Sequence, residues 1–276
     1  MTDARDAADV ARRRLLDAPL EPVGQFADAS NATLLVRLRD RDPRTMDEIV
    51  ADLGRQPAVA DLDPSDLAVY KPQRGETPLW DFPDGTLHAR EVAAYEISAA
   101  LGWDLVPVTV RREDAPLGVG SLQRFVPHDP EQHYFWLLEH GETEVIAQLV
   151  AMVVFDLVID NADRKGGHVL LEHPIGATPP DDAAPRIRLV DHGVSLSVEP
   201  KLRTVGWHFA GEPVPTNLRE DVARLAEQVD DALGPRLTGL LNLAEIAVLA
   251  DRLRRLPDLE VFPQPQGERP FPWPLL

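Results

Sequence analysis

The sequence predicts an α+β protein of two lobes, the first rich in strands and the second mainly helical. Three observations carry this. Before Pro127-His128-Asp129-Pro130 the apolar patterning is mostly strand-like, with one principal helix. After that break three long stretches have helical periodicity. At 276 residues the chain is long enough for two lobes with sizeable cores. The expected division is 1–126 and 127–276.

The elements follow in order. Residues 4–17 place Ala8, Val10, Ala11, Leu15 and Leu16 at helical spacing. Leu20–Phe26 and Thr33–Leu38 read as strands. The small polar ADASNA between them is either a hairpin turn or a loop whose backbone N–H groups cradle phosphates. Residues 39–66 look like a charged insertion, with a helix over Thr45–Leu53. Leu67–Tyr70 is a strand that runs into Lys71-Pro72, and QRGETPLWDFPDG is a loop rich in turn formers. A helix over Leu87–Leu101 ends at Gly102.

Leu105–Arg111 and Gly118–Val126 read as two more strands. Helices are expected over Thr143–Val158, Asn217–Leu233 and Arg236–Leu256, with short strands near Val169–Leu171 and Ile187–Val190. The last 20 residues hold six prolines, which argue against a helix there, and their aromatic residues suggest a tail (257–276) laid against the body.

Composition narrows function. With no cysteine, disulfides, Cys-based zinc sites and a Cys nucleophile are excluded. A net charge of −18 disfavours nucleic acid and anionic membranes as partners. No apolar run approaches the roughly 20 residues of a membrane span, and the acidic N-terminal stretch lacks signal-peptide character, so a cytoplasmic location is expected. The lysines are Lys71, Lys165 and Lys201; every other member of the 28 basic residues is arginine. In such a chain the remaining lysines are candidates for places where a compact ammonium meets a phosphate.

Two stretches concentrate chemistry. VIDNADRKGGHVLL joins an apolar run to Asp163, Arg164, Lys165 and His168. IRLVDHGVS ends a buried-looking strand in Asp191. A buried strand that runs into an unpaired carboxylate is costly, whereas carboxylates at strand ends facing a cleft hold a metal ion and the phosphates it carries.

Five segments in order, YKP, REVAAYEISAALG, GSLQRFV, DNADR and VDHG, resemble the phosphatidylinositol 3-/4-kinase-like superfamily of atypical kinases. The pattern is similar to small bacterial members and type II phosphatidylinositol 4-kinases, and more distantly to HipA-type kinases. The resemblance implies a two-lobed protein-kinase-like fold with ATP and one or two Mg²⁺ or Mn²⁺ ions in the cleft. It implies that Lys71 grips the nucleotide phosphates and Glu91 aims it, with Glu96 as the competing choice. Ser30 and Asn31 would cover the phosphates, with Lys165 adding a contact. Gln123, Arg124, Phe125 and Val126 would form the hinge strand at the adenine edge. Asp163 would be the catalytic aspartate, Arg164 its DR partner, and Asp191 the metal-binding aspartate. Where the superfamily has a metal-binding asparagine, five residues after Asp163, this chain has His168. Three readings follow: a metal ligand favouring Mn²⁺, a donor to phosphate, or a lost second metal site.

The expected function is transfer of the ATP γ-phosphoryl group to a hydroxyl on an unidentified protein or small molecule. A phosphoinositide acceptor fits poorly, because a lipid kinase gains from a basic face that this chain lacks. The rivals are a nucleotide-binding pseudokinase that regulates a partner, a nucleotidyltransferase on the same fold, and a metal-dependent hydrolase using Asp163, His168 and Asp191.

Overall fold

The computed structural model describes residues 2–26, 31–39, 62–173 and 184–276. Ser30, most of the ADASNA loop, residues 40–61 of the 39–66 insertion with its expected helix, and residues 174–183 lie outside the described residues. The chain divides into two compact units, Met1–His88 with Val108–Phe125, and Ala89–Pro107 with Val126–Leu276.

The first unit is an antiparallel sheet of five strands with a helix. Helix α1 (Thr2–Asp17) leads into β1 (Leu20–Gln25), β2 (Leu34–Leu38), β3 (Leu67–Pro72), β4 (Thr109–Arg112) and β5 (Gly120–Arg124), in the spatial order β1-β2-β3-β5-β4. The alternation expected of a half-buried strand is visible in β3, where Leu67, Ala68, Tyr70 and Pro72 are buried and Val69 and Lys71 less so. Leu35, Leu62 and Leu67 form a core cluster, joined by Val23 and Phe125. Arg112 ties α1 to the sheet by donating to the Leu15 carbonyl at 2.6 Å. The strand expected over Leu105–Arg111 is shorter and begins only at Thr109.

The second unit is mainly helical. It takes most of α2 (Leu87–Leu101), then α3 (Tyr134–His140), α4 (Thr143–Ile159), the antiparallel pair β6 (Val169–Glu172) and β7 (Arg186–Leu189), α5 (Thr216–Gln228), the single turn α6 (Gly234–Leu237) and α7 (Leu243–Arg255). Helix α4 is apolar almost all round, as a helix in the middle of a core must be. Arg90 joins α2 to this core: it donates to the carbonyls of Ser195 (2.8 Å) and Leu196 (3.2 Å) and pairs with Glu245 of α7.

The helix expected over Arg236–Leu256 is in fact two. Gly239 takes a φ of +85°, and Asn242 opens a new helix by capping the Glu245 N–H at 3.0 Å while Glu245 returns a bond to the Asn242 N–H. The α+β architecture with a strand-rich first part and a helical second part is as the sequence predicts. Among the described residues no helix is long and apolar enough to cross a membrane.

Candidate functional site

In the second unit the site is assembled on a buried carboxylate that the sequence analysis passed over. Asp156 lies near the C-terminus of α4 and is fully buried. Its Oδ1 accepts from Arg164 Nε at 3.0 Å and from Asn161 Nδ2 at 3.3 Å, and its Oδ2 accepts from the Thr204 hydroxyl at 2.9 Å. Burial pushes the Asp156 carboxyl above the ordinary carboxylate range, against the opposing pull of Arg164, Thr204 and Asn161. Arg164 is itself fully buried and also donates to the Val190 carbonyl at 2.9 Å. One guanidinium thus spans from α4 to the residue that precedes Asp191.

Helix α4 ends with Asp160 in the left-handed conformation, φ +51°. The chain then turns sharply, and Asn161 fixes the next step: its Oδ1 accepts the Asp163 N–H at 2.9 Å. The segment after it is paired with a second strand of backbone. Arg203 N–H donates to the Asn161 carbonyl (2.8 Å), Arg164 N–H to the Arg203 carbonyl (3.0 Å) and Val205 N–H to the Arg164 carbonyl (3.1 Å).

On this frame Asp163 is partly exposed, and Lys165 Nζ stands 3.1 Å from its Oδ2. Burial pushes the Asp163 carboxyl up; Lys165 and Arg203 pull it down, the Asp191 charge adds to the rise, and the net direction is upward. Arg203 is a basic neighbour that the sequence alone did not single out.

His168 closes a short 3₁₀ turn, Gly166–His168. Its Nδ1 faces the Lys165 N–H at 3.4 Å, and its Nε2 faces Asp191 Oδ2 at 3.3 Å. With Nδ1 accepting, the neutral ring carries its proton on Nε2 and directs it at Asp191. Asp191 is half exposed and sits at φ +60°, a conformation a non-glycine residue holds only when its surroundings fix it.

The fixing is visible on the following residue. His192 is buried, packs edge-on to Phe155 with ring centres 5.8 Å apart, and donates its N–H to Glu91 Oε2 at 3.0 Å. Glu91 on α2 thus holds the residue next to Asp191. The competing Glu96 is engaged by Arg236.

Asp163, Arg164, Lys165, His168, Asp191 and Glu91 are therefore brought into one bonded region of the second unit. Of the remaining candidates among the described residues, Asn31, Lys71, Gln123, Arg124 and Phe125 belong to the first unit and Val126 to the second. Lys71 lies on β3 opposite Ser121, and Gly120 stands opposite Pro72. A Cβ at Gly120 would come 2.5 Å from the Lys71 carbonyl, so the close approach of β5 to the Lys71 segment requires glycine there.

Asn31 Oδ1 accepts the Thr77 N–H at 2.7 Å. Gln123 is buried and its side chain donates to Thr109 Oγ1 at 2.8 Å. The Arg124 N–H goes to the Val108 carbonyl (2.9 Å) and the Phe125 N–H to the Leu67 carbonyl (3.2 Å). The Val126 carbonyl meets His128 Nδ1 at 2.8 Å. The sheet and the turn after it thus already use several of the groups expected to form the hinge.

Glu76, also missed by the sequence analysis, accepts the first N–H groups of α2, from Leu87 (3.1 Å) and His88 (2.8 Å), and the His88 ring at 2.8 Å. A signal for Asp156 was present, since it interrupts the apolar run AMVVFDLVI.

The class follows from the fold. With 13% identity and a TM-score of 0.52, over 92% of this chain and 75% of the other, the protein is similar to the Golgi casein kinase in a crystal structure with Mn and ADP bound. The fold is kinase-like. A proinflammatory kinase of Helicobacter pylori, CtkA, gives a TM-score of 0.49 at 10% identity over 90% of this chain and 94% of that one. No protein-family model matches the chain. It is 38% identical to protein Rv2133c of Mycobacterium tuberculosis over 291 residues, which take in 94% of this chain and 93% of that one, and it belongs to the same family.

Proposed function

We propose that the protein transfers the γ-phosphoryl group of ATP to a hydroxyl acceptor, a protein side chain or a small molecule rather than a phosphoinositide, as a member of the phosphatidylinositol 3-/4-kinase-like superfamily. The observation that carries the reading is that one short turn faces both Asp163 and Asp191, 28 positions apart in sequence: Lys165 Nζ stands 3.1 Å from Asp163 Oδ2 and His168 Nε2 stands 3.3 Å from Asp191 Oδ2. Two carboxylates held together against their repulsion favour a cation between or beside them.

The donor set suits Mg²⁺ or Mn²⁺ carried by a nucleotide. Among the described residues no three His, Cys, Asp or Glu side chains are arranged to hold a metal by themselves. Mg²⁺ is commonly bound by one or two carboxylates with substrate phosphates and water completing the shell. The ion would neutralise phosphate charge as it develops.

Asp191 is the residue to hold it. His168 Nε2 stands 3.3 Å from Asp191 Oδ2, an arrangement that suits a donor role for the ring over direct ligation. Asp163 orients the acceptor hydroxyl and accepts its proton as the acceptor oxygen bonds to the γ-phosphorus and the bond to the β-phosphate oxygen breaks, releasing ADP. Lys165, beside Asp163, is placed to meet negative charge on the transferring group. Lys71 binds the nucleotide phosphates, and Glu91 holds the Asp191-His192 turn. Arg164, fully buried, positions the loop and does not touch substrate.

A second reading, a nucleotide-binding protein without turnover, draws on the same His168–Asp191 contact, which partly occupies the carboxylate that the metal needs. Phosphorus NMR of the purified protein with ATP and either Mg²⁺ or Mn²⁺ separates the readings. ADP with phosphate or with a phosphorylated product supports transfer. Shifted resonances without consumption support silent binding, and AMP with pyrophosphate means nucleotidyl transfer. Unperturbed ATP overturns both the transferase and the silent-binding reading.

A further inference from the structure

The proline-rich tail does more than cover apolar surface. It is bonded to the loop that carries Asp163, Lys165 and His168, at two places. Directly, the Gly166 N–H donates to the Leu275 carbonyl at 2.7 Å. Gly166 opens the turn that sets His168 against Lys165, so the first amide of that turn has its partner in the tail. A Cβ on residue 166 would lie 2.8 Å from Leu276 Cδ2 and 3.0 Å from Phe135 Cε2, so glycine is what lets the tail seat there.

Indirectly, the Pro270 carbonyl accepts both the Trp207 Nε1–H at 2.6 Å and the Thr204 N–H at 3.3 Å. Thr204 is the residue whose hydroxyl holds Asp156, and Asp156 holds Arg164. The start of the tail is anchored independently: the Phe262 N–H donates to the Glu212 carbonyl at 2.9 Å, and its own carbonyl accepts from Gly211 at 3.0 Å. The far end is held more lightly, since Leu276 remains 56% exposed and Leu275 39%.

We propose that Pro270–Leu276 is a strap that sets the candidate phosphoryl-transfer loop, with Trp207 as a positioning residue for Lys165 and His168. The catalytic part of this statement rests on the kinase reading; the strap itself does not. Docked, the tail fixes both ends of the segment Arg164–Gly166. Undocked, it frees the turn that places Lys165 and His168, and because the side chains of its far end, Leu275 and Leu276, stay partly exposed it opens before the core does.

The test uses the full chain in four forms: parent, Trp207→Phe, Gly166→Ala, and Gly166→Ala with Leu276→Ala. Amide hydrogen exchange is read at Gly166 and Thr204. Losing the Trp207 donor removes one neutral hydrogen bond and should speed exchange at both amides by roughly five- to tenfold, with amides inside α7 unchanged. Gly166→Ala should do the same, and adding Leu276→Ala should restore most of the protection by making room for the new methyl. Where ATP is consumed, kcat should fall in Trp207→Phe while the nucleotide KM holds, a split that general loosening would not give. Parent-like exchange at Gly166 and Thr204 in Trp207→Phe, or a double variant no better protected than Gly166→Ala alone, overturns the strap. Altered exchange in a protein that neither binds nor consumes ATP upholds the strap and removes the kinase reading instead.

Discussion

Arg164 and Asp156 form an ion pair sealed from solvent, Nη2 to Oδ1 at 3.0 Å, with both side chains at 0% exposure. The pair joins α4 to the candidate catalytic loop, and through the Val190 carbonyl to the residue before Asp191. Removing one partner leaves the other as an uncompensated buried charge. Asp156→Ala should therefore lower unfolding free energy by about 3–5 kcal/mol, measured by urea denaturation. The double change Asp156→Leu with Arg164→Met removes both charges and should recover much of that loss, yet phosphoryl transfer should stay lost, because nothing then holds the loop. A double variant that turns over ATP like the parent would show that the pair has no part in positioning.

Asp163 carries a cost of its own. Its carboxyl is pushed up by burial, and the charge of Asp191 adds to the rise. A carboxylate raised in the folded state stabilises the fold only below its unfolded pKa, near 3.9, and that contribution is lost as pH rises through the folded value. At neutral pH the ionised side chain is thus a net burden. Asp163→Asn should raise Tm by a few degrees at pH 7 in the absence of metal and nucleotide, and the gain should shrink towards pH 4, while transfer is abolished. Thermal melts across that range decide it. A variant destabilised at pH 7 would mean that the Lys165 contact outweighs burial.

Glu76 runs the opposite way. Burial pushes its carboxyl up, but hydrogen bonds from the His88 ring and from the His88 and Leu87 N–H groups outweigh that, and the net direction is down. Its stabilisation is present above the unfolded value, near 4.3, and is lost as pH falls through the lower folded value. The anionic cap on α2 also complements the helix dipole. Glu76→Gln should cost about 1 kcal/mol at pH 7, and the difference from the parent should close as the solution is acidified. A difference that persists unchanged at pH 3 would point to lost packing rather than lost charge.

What could be read from the sequence follows from range. Period-2 and period-3.6 patterning gave β3, α2 and α4, because each buries one face or all of itself through its own residues. The motifs DNADR and VDHG marked Asp163 and Asp191, since short runs carry their chemistry locally. Asp156, Glu76 and Arg203 were missed because their roles depend on partners distant in sequence: Thr204 is 48 positions from Asp156. Glu76 lies in a loop of turn formers, and the N–H groups it caps stand 11 and 12 positions further on. The break between α6 and α7 was legible in Asn242 and Glu245, a start signal hidden inside an apolar run that kept helical period.

His168 offers the sharpest test of the metal chemistry. Its Nδ1 faces the Lys165 N–H at 3.4 Å and its Nε2 faces Asp191 at 3.3 Å. As a donor, it tethers the carboxylate without contributing a ligand of its own. His168→Asn keeps a side-chain donor and acceptor at the position while removing the imidazole, and it introduces the oxygen ligand that Mg²⁺ prefers. If the ring only donates, Mn²⁺ should bind the variant with nucleotide as tightly as it binds the parent, and Mg²⁺-supported activity should hold or rise. If the ring is itself a ligand, Mn²⁺ affinity should drop by roughly 10-fold or more, since imidazole suits softer ions than Mg²⁺. Titration of Mn²⁺ by electron paramagnetic resonance with ADP present reads that affinity directly, independent of any acceptor.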